Sequence, residues 1–386
     1  MDRCIIQTMI VCALIACIGA DESTIAGLYP ASGFSPAAWP TPDPAIESMI
    51  FPSRFDLRET GGATPAKNQG FSSTCFPCWS FSLIGAAESA FRLSTGIEYD
   101  LSEQQLLDCN SNGYGCDGGF INGWTALRDY GAVPENCYPF MNTDTECTQS
   151  QCEPVGWITG VYPVPYSVQA LKYALLHHGA LSCSMTIYND IMSYSGGCYF
   201  NEGTRPVNHG VVLLGWDDAA CDGTGAWIVK NSWGPDWGEN GAVWMRYGTC
   251  NIGKHAQWFE CATQQPPQQL RYSLGMPDTL MQAGDWFVLE RRIGNPLPRT
   301  IDCLEFILLD IKGSYWFYPT FSEEPDWEER SIASEWYRCD VMLAFVWPET
   351  DSALDSFCFW GACFDASTKD ALAWDRIECF AARIAP

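Results

Sequence analysis

Three reactive groups stand far apart in this 386-residue chain, and they constrain its fold more than any other feature. Cys78 lies in C-F-P-C-W-S-F-S, which starts at Cys75. His209 lies in V-N-H-G-V and Asn231 in W-I-V-K-N-S-W-G. His209 is 131 residues beyond Cys78 and Asn231 is 153 beyond it, near the roughly 130–150 that separate a nucleophilic cysteine from His and Asn partners. A thiol, an imidazole and an amide act together only if the chain closes on itself. The expected fold therefore brings the segment around Cys78 against a much later one.

The apolar patterning on the two sides differs. After Cys78 a helix is expected over 78–94, with Trp79, Phe81, Leu83, Ile84, Ala87 and Phe91 on a core-facing stripe. L-S-E-Q-Q predicts a second helix start, with Ser102 as cap and Gln105 at the third helical position. Gly- and Cys-rich turns follow around 113–119. Past Val155 the apolar runs 210–216, 226–230 and 242–247 are short and bounded by turn residues, so they read as strands. A helix-rich half followed by a strand-rich half predicts an α+β unit over 51–263 with two subdomains. Its site should lie in the cleft between them. Residues 264–270 (starting Q-Q-P-P-Q-Q) are a polar linker. Residues 271–386 carry recurring strand signals (W-F-V-L-E, E-F-I-L-L-D-I, V-M-L-A-F-V-W-P, F-C-F-W-G-A-C-F) and predict an all-β sandwich domain.

Residues 1–20 have a thin basic start at Arg3 and an apolar core too short for a comfortable membrane span, as in an export signal. The stretch L-I-A-C ending at Cys17 also resembles a lipoprotein box, so secretion and lipid anchoring through Cys17 are both open. Residues 21–50 form a Pro-rich leader. A net charge of −25 argues against nucleic-acid partners and anionic membrane surfaces. The chain has twenty cysteines, which in an exported protein implies disulfides. Setting aside Cys4, Cys12, Cys17 and one catalytic thiol leaves an even number.

The chemistry follows from residue types. A cysteine at a helix N-terminus beside an imidazolium is expected to have a lowered pKa and to attack a carbonyl as the thiolate. His209 would then deliver the proton to a leaving amine, and Asn231 would orient the imidazole. The Gln69 amide and the Cys78 backbone N–H would form an oxyanion hole. Trp233 would cover the Asn–His bond.

Six stretches in order, K-N-Q-G, C-x-x-C-W-S-F-S, L-S-E-Q-Q-L-L-D-C, Y-G-C-D-G-G-F, V-N-H-G-V and W-I-V-K-N-S-W-G-x-x-W-G-E-N-G, resemble the papain family of cysteine peptidases over about residues 54–261. The resemblance implies a helical half and a β-barrel-like half, hydrolysis of peptide bonds in protein or peptide substrates, and no cofactor or metal. It implies that Gly118 and Gly119 hold the substrate backbone, that Phe120 lines the main specificity pocket and that Asn208 and Trp233 border the substrate. It also implies disulfides Cys75–Cys116 and Cys109–Cys147, with Cys137 and Cys152 as further partners. Two departures stand out. Gln69 and Cys78 are nine positions apart, three more than the family pattern, and Phe76-Pro77 replaces Gly-Ser. Cys75 sits at the family distance from Gln69, and Ser73-Thr74-Cys75 resembles a variant of the motif. Cys75 therefore stays open as nucleophile, structural half-cystine, or partner of Cys78 in a redox switch. The leader is too short for the family's inhibitory propeptide; residues 30–44 are expected to cover part of the cleft.

His177 and His178 precede Gly179 and read as a helix C-terminus. His255 reads as a surface or wall residue. In the C-terminal domain, Trp316, Tyr318, Trp336, Tyr337, Trp347 and Trp360 are either core or a surface for a carbohydrate or protein partner. The resulting expectation is an exported cysteine endopeptidase with an accessory sandwich. Its rivals are an inactive binding protein on the same fold and a transamidase using the same site.

Overall fold

A computed structural model describes residues 40–70, 74–265, 269–276, 280–281, 285–297, 299–311, 314–318, 326–333, 336–346 and 357–381. The export signal, most of the leader, Ser73 and Trp347 lie outside the described residues. The chain forms two compact units, Ile50–Pro266 and Asp43–Met49 with Pro267–Pro386. A short helix α1 (Pro44–Glu47), capped by the Asp43 carboxylate, thus belongs to the second unit, where Ile46 and Met49 are buried.

In the first unit, β1 (Arg54–Asp56) precedes the long helix α2 (Cys78–Thr95). The helix starts after Pro77, whose missing N–H costs nothing there. It ends at Gly96, which takes the left-handed conformation (φ 73°) and donates to the Arg92 carbonyl. The sequence predicts a single apolar stripe, but every residue from Cys78 to Phe91 is buried, so α2 is a core helix surrounded on all sides. Helix α3 (Glu103–Cys109) begins as expected: Ser102 Oγ accepts from Gln105 N at 3.0 Å. The Gln105 side chain does not complete a capping box; it bonds Gly131 O, Val133 N and Gln149 Oε1 instead. Helices α4 (Thr125–Asp129) and α5 (Val168–His178) follow. Helix α5 ends at the two histidines, with His178 stacked on Trp258.

The strand-rich half is one sheet of β2 (Trp157–Pro163), β8 (Lys254–Ala262), β3 (Leu181–Met185), β5 (His209–Asp217), β6 (Ala226–Lys230), β7 (Ala242–Arg246) and β4 (Cys198–Tyr199), in that order, with β1 also on β5. The expected strand runs coincide with β5, β6 and β7. Strand β5 is buried from His209 to Trp216 and packs on α2. Gly210 permits this approach, because a Cβ there would lie 3.0 Å from the Cys78 carbonyl oxygen and 3.2 Å from Trp79 Cα.

The second unit is all-β. One sheet orders β10 (Leu280–Met281), β17 (Ala371–Ala381), β16 (Phe357–Asp365), β12 (Ile301–Ile311) and β13 (Ser314–Phe317), with β14 (Glu328–Ile332) also on β12. The other orders β15 (Trp336–Val346), β11 (Trp286–Asn295) and β9 (Arg271–Gly275). Side chains of both sheets share one core, including Tyr272, Phe287, Leu289, Ile307 and Phe359. This is the sandwich expected from the strand spacing.

Candidate active site

Cys78 is the first residue of α2, and His209 is the first residue of β5. Asn231 directly follows β6. The register places β6 beside β5, and the Gly210 approach places β5 against the start of α2. The three far-apart groups therefore gather at one end of the helix. His209 Nε2 bonds Asn231 Oδ1 at 2.8 Å. Asn231 Oδ1 also accepts the Ser232 N–H at 2.8 Å, which fixes that atom as the amide oxygen. Nε2 must then carry a proton, which leaves Nδ1 as the acceptor of a neutral imidazole. The Trp233 ring lies 5.2 Å from the imidazole, with Trp237 edge-on behind it.

Gln69 is held by the same segment. Its backbone N–H donates to Ser232 O at 2.8 Å, and its Oε1 accepts from Ser232 Oγ. The side-chain carbonyl is thus occupied, and Nε2 is the end left for another acceptor. Ser232, absent from the expected set, positions both amides; its only sequence signal is its place between Asn231 and Trp233.

Cys75 is bonded to Cys116, while Cys78 is a free thiol. Phe76 N donates to Cys116 O, so the Phe76-Pro77 departure forms a short link from that disulfide into α2. Cys109–Cys147 and Cys137–Cys152 are also bonded, as is Cys198–Cys221, a pair that the sequence left unassigned.

Burial works against the expected thiolate. Cys78 is 0% exposed and His209 1%. Burial pushes the thiol up to about 12, although the Gly210 and Trp79 backbone N–H groups bond the sulfur and oppose the shift. Burial likewise pushes His209 down to about 4, against the Asn231 hydrogen bond. Desolvation in the closed site therefore opposes both the thiolate and the imidazolium.

The expected substrate residues divide. Gly118 has φ 112°, a conformation suited to glycine, and a Cβ at Gly119 would lie 2.6 Å from the Trp79 indole. Gly118 therefore has a backbone reason and Gly119 a packing reason beside any substrate role. Phe120 is buried edge-on to His255, 5.0 Å between ring centroids. His255 is thus a half-buried residue packed against Phe120. The Asn208 amide is engaged with Ile187, accepting its N–H at 2.8 Å.

Behind the site lies a charged cluster that the sequence reading missed. Lys67 Nζ reaches Glu88 and Asp100 at 2.7 Å and Glu103 at 3.1 Å. Lys230 Nζ bonds Thr64 Oγ1, which donates to Glu88. Six residues scattered over the chain leave no local signal.

In the second unit, Trp316 and Tyr318 are half-buried and Tyr337 is buried, and the Trp336 side chain lies outside the described residues. Trp360 stacks with Trp374, which is 65% exposed, and Arg376 lies over Trp360. Trp374 was missed, although its strand alternates A-L-A-W-D-R-I.

Comparison with known proteins covers the first unit. Residues 51–259 match the family model described as papain family cysteine protease. Papain of Carica papaya is 35% identical over 205 residues, covering 52% of this chain and 56% of papain's. Cathepsin K of Gallus gallus is 35% identical over 216 residues, covering 54% and 63%. The chain thus spans between half and two thirds of these relatives' length. The structure of bromelain from Ananas comosus in complex with the E64 inhibitor matches with a TM-score of 0.50 and 30% identity, covering 54% of this chain and 99% of that one. The proform of the ragweed pollen protease Amb a 11 matches with a TM-score of 0.54 and 30% identity, covering 64% and 71%. The chain belongs to the papain family of cysteine proteases, and the all-β unit is additional to the matched domain.

Proposed function

We propose that the protein is an exported cysteine endopeptidase in which Cys78 is the nucleophile and His209 its acid–base partner. The observation that carries the reading is the His209–Asn231 hydrogen bond, which turns Nδ1 of the imidazole into a proton acceptor at the α2 N-terminus. Substrate binding brings a carbonyl to the Cys78 sulfur. The thiol proton passes to His209 Nδ1 as the sulfur attacks, a transfer within the pair that leaves net charge unchanged. The developing oxyanion is met by Gln69 Nε2 and the Cys78 N–H. His209 then protonates the leaving amine, and water hydrolyses the thioester. Asn231 keeps the imidazole in one orientation throughout, under Trp233. Gly118, Gly119, Phe120, Asn208 and Trp233 border the substrate in this reading. Four disulfides and the apolar N-terminal stretch support an oxidising, extracytoplasmic setting, by secretion or by anchoring through Cys17. The sandwich unit serves to target or stabilise the peptidase, and its exposed Trp360–Trp374 pair supports a surface, carbohydrate or protein partner.

The test is labelling of the folded, reduced protein with an epoxide probe of the E-64 type, followed by mass mapping and assay on a peptide substrate. Label at Cys78 that disappears in His209→Ala is the expected result. Label at Cys75, or none at either cysteine, overturns the assignment; the second outcome favours an inactive binding protein.

A further inference from the structure

Two cysteines of the sandwich lie together where neither the catalytic reading nor the four disulfides use them. Cys303 sits on β12 and Cys363 on β16, neighbouring antiparallel strands. The register sets Cys303 opposite Asp365 and Glu305 opposite Cys363, so the cysteines are diagonal neighbours on one face. That face is the inner one: the two side chains are buried and belong to the shared core. Both are thiols in the structure, and they hydrogen-bond each other. The alternatives face elsewhere. The Cys358 sulfur accepts from Arg376, and Cys339 lies on β15 of the opposite sheet, registered against Arg292.

Diagonal cross-strand residues have Cα atoms roughly 7–8 Å apart, and a disulfide favours about 4.4–6.8 Å. Some adjustment is therefore needed, and β16 has room for it. Its pairing with β17 shifts register between Cys363 and Phe364, and such irregularities let a strand bend and twist locally.

We propose that Cys303 and Cys363 form a disulfide, a cross-link beyond the four among the described residues, which staples β12 to β16 inside the sandwich core. Two S–H bonds break and one S–S bond forms. The two protons and two electrons released reduce a low-molecular-weight disulfide, the oxidant, to two thiols. The burial of both sulfurs places this exchange before the two sheets close. The same burial shields the finished bond, so a reductant reaches it only when the unit opens. Among the five cysteines beyond the linker this leaves Cys339, Cys358 and Cys379 outside the pair.

The experiment uses the full chain, oxidised with glutathione disulfide during folding. It is denatured, alkylated with N-ethylmaleimide before and after reduction, and mapped by mass. The expected result is a linked peptide holding Cys303 and Cys363, lighter than its two parts by two hydrogens, with both residues alkylated only after reduction. A second expected result is that dithiothreitol added to the native protein leaves the link intact. Alkylation of either cysteine before reduction, while Cys75, Cys109, Cys137 and Cys198 are protected, overturns the proposal. A link from Cys303 to any other cysteine also overturns it. The mapping needs no variant, so a substitution that fails to fold does not blur the answer.

Discussion

His209 at the start of β5 donates through Nε2 to Asn231 Oδ1 at 2.8 Å, and Ser232 N–H holds that oxygen from the other side. The bond selects the tautomer as well as the orientation. Asn231→Ala removes the acceptor and frees the ring to carry its proton on either nitrogen. A general acid–base group contributes about 10²–10⁴ to rate, and a disoriented one loses much of this. We expect kcat/KM on a peptide substrate to fall by about 10² or more at temperatures where the variant remains folded, with a lower melting transition because two buried N–H donors lose their acceptor. Retention of full activity would mean that Trp233 alone orients the ring.

The pH behaviour of Cys78 follows from its burial. The thiol is pushed up to about 12 and His209 down to about 4. Burial thus opposes ionisation of either group across the neutral range. Iodoacetamide should therefore modify Cys78 slowly at neutral pH, with a rate that keeps climbing through the alkaline range. A plateau already reached in the acid range would reveal a resting thiolate–imidazolium pair. Linkage gives the matching stability change. A histidine with a depressed folded pKa contributes stability present above about 6.5, the unfolded value, and lost as pH falls through about 4.

The local patterns were legible wherever chemistry and periodicity coincide. The start of α2 at Cys78, the Ser102 cap and the strands carrying His209 and leading to Asn231 follow from short segments of sequence. What the sequence reading missed depends on distant residues meeting. The Lys67 cluster joins positions 67, 88, 100 and 103, and no spacing rule links them. The thiol's pKa was expected low because the helix terminus is local and visible, whereas desolvation is a property of the closed fold. A Cβ at Gly119 would meet Trp79, forty positions earlier, a packing constraint that no local pattern shows.

Lys67 is the sole ammonium reaching Glu88, Asp100 and Glu103 directly among the described ion pairs. Burial pushes Glu103 up to about 8 even beside that cation. Lys67→Met leaves the carboxylates uncompensated, a change that typically costs about 3–5 kcal/mol. The sign of its pH dependence is set. As pH falls through about 8 the Glu103 carboxylate takes up a proton, so the deficit relative to wild type should shrink from pH 9 to pH 7. Urea unfolding of both proteins at pH 9 and pH 7 measures it. A deficit that grows on acidification would show that the lysine is not what neutralises them.

Gly119 faces the ring of Trp79, whose Nε1 donates to Gly115 O at 3.3 Å. A methyl group there would sit 2.6 Å from the buried indole, next in sequence to Cys78. Gly119→Ala thus forces either the indole or the 115–119 turn to move, and such overpacking typically costs about 1–3 kcal/mol. Gly113→Ala separates this steric effect from backbone strain. Gly113 has φ 73°, and a methyl added there would meet nothing within 4 Å, so its cost is the left-handed penalty alone, about 1–2 kcal/mol. The two variants should differ in function more than in stability. Displacing Trp79 shifts the first turn of α2 and the Cys78 sulfur with it, so Gly119→Ala should lose turnover at temperatures where both proteins remain folded. Gly113→Ala should keep it. Equal turnover in the two folded variants would show that Trp79 does not hold the nucleophile in place.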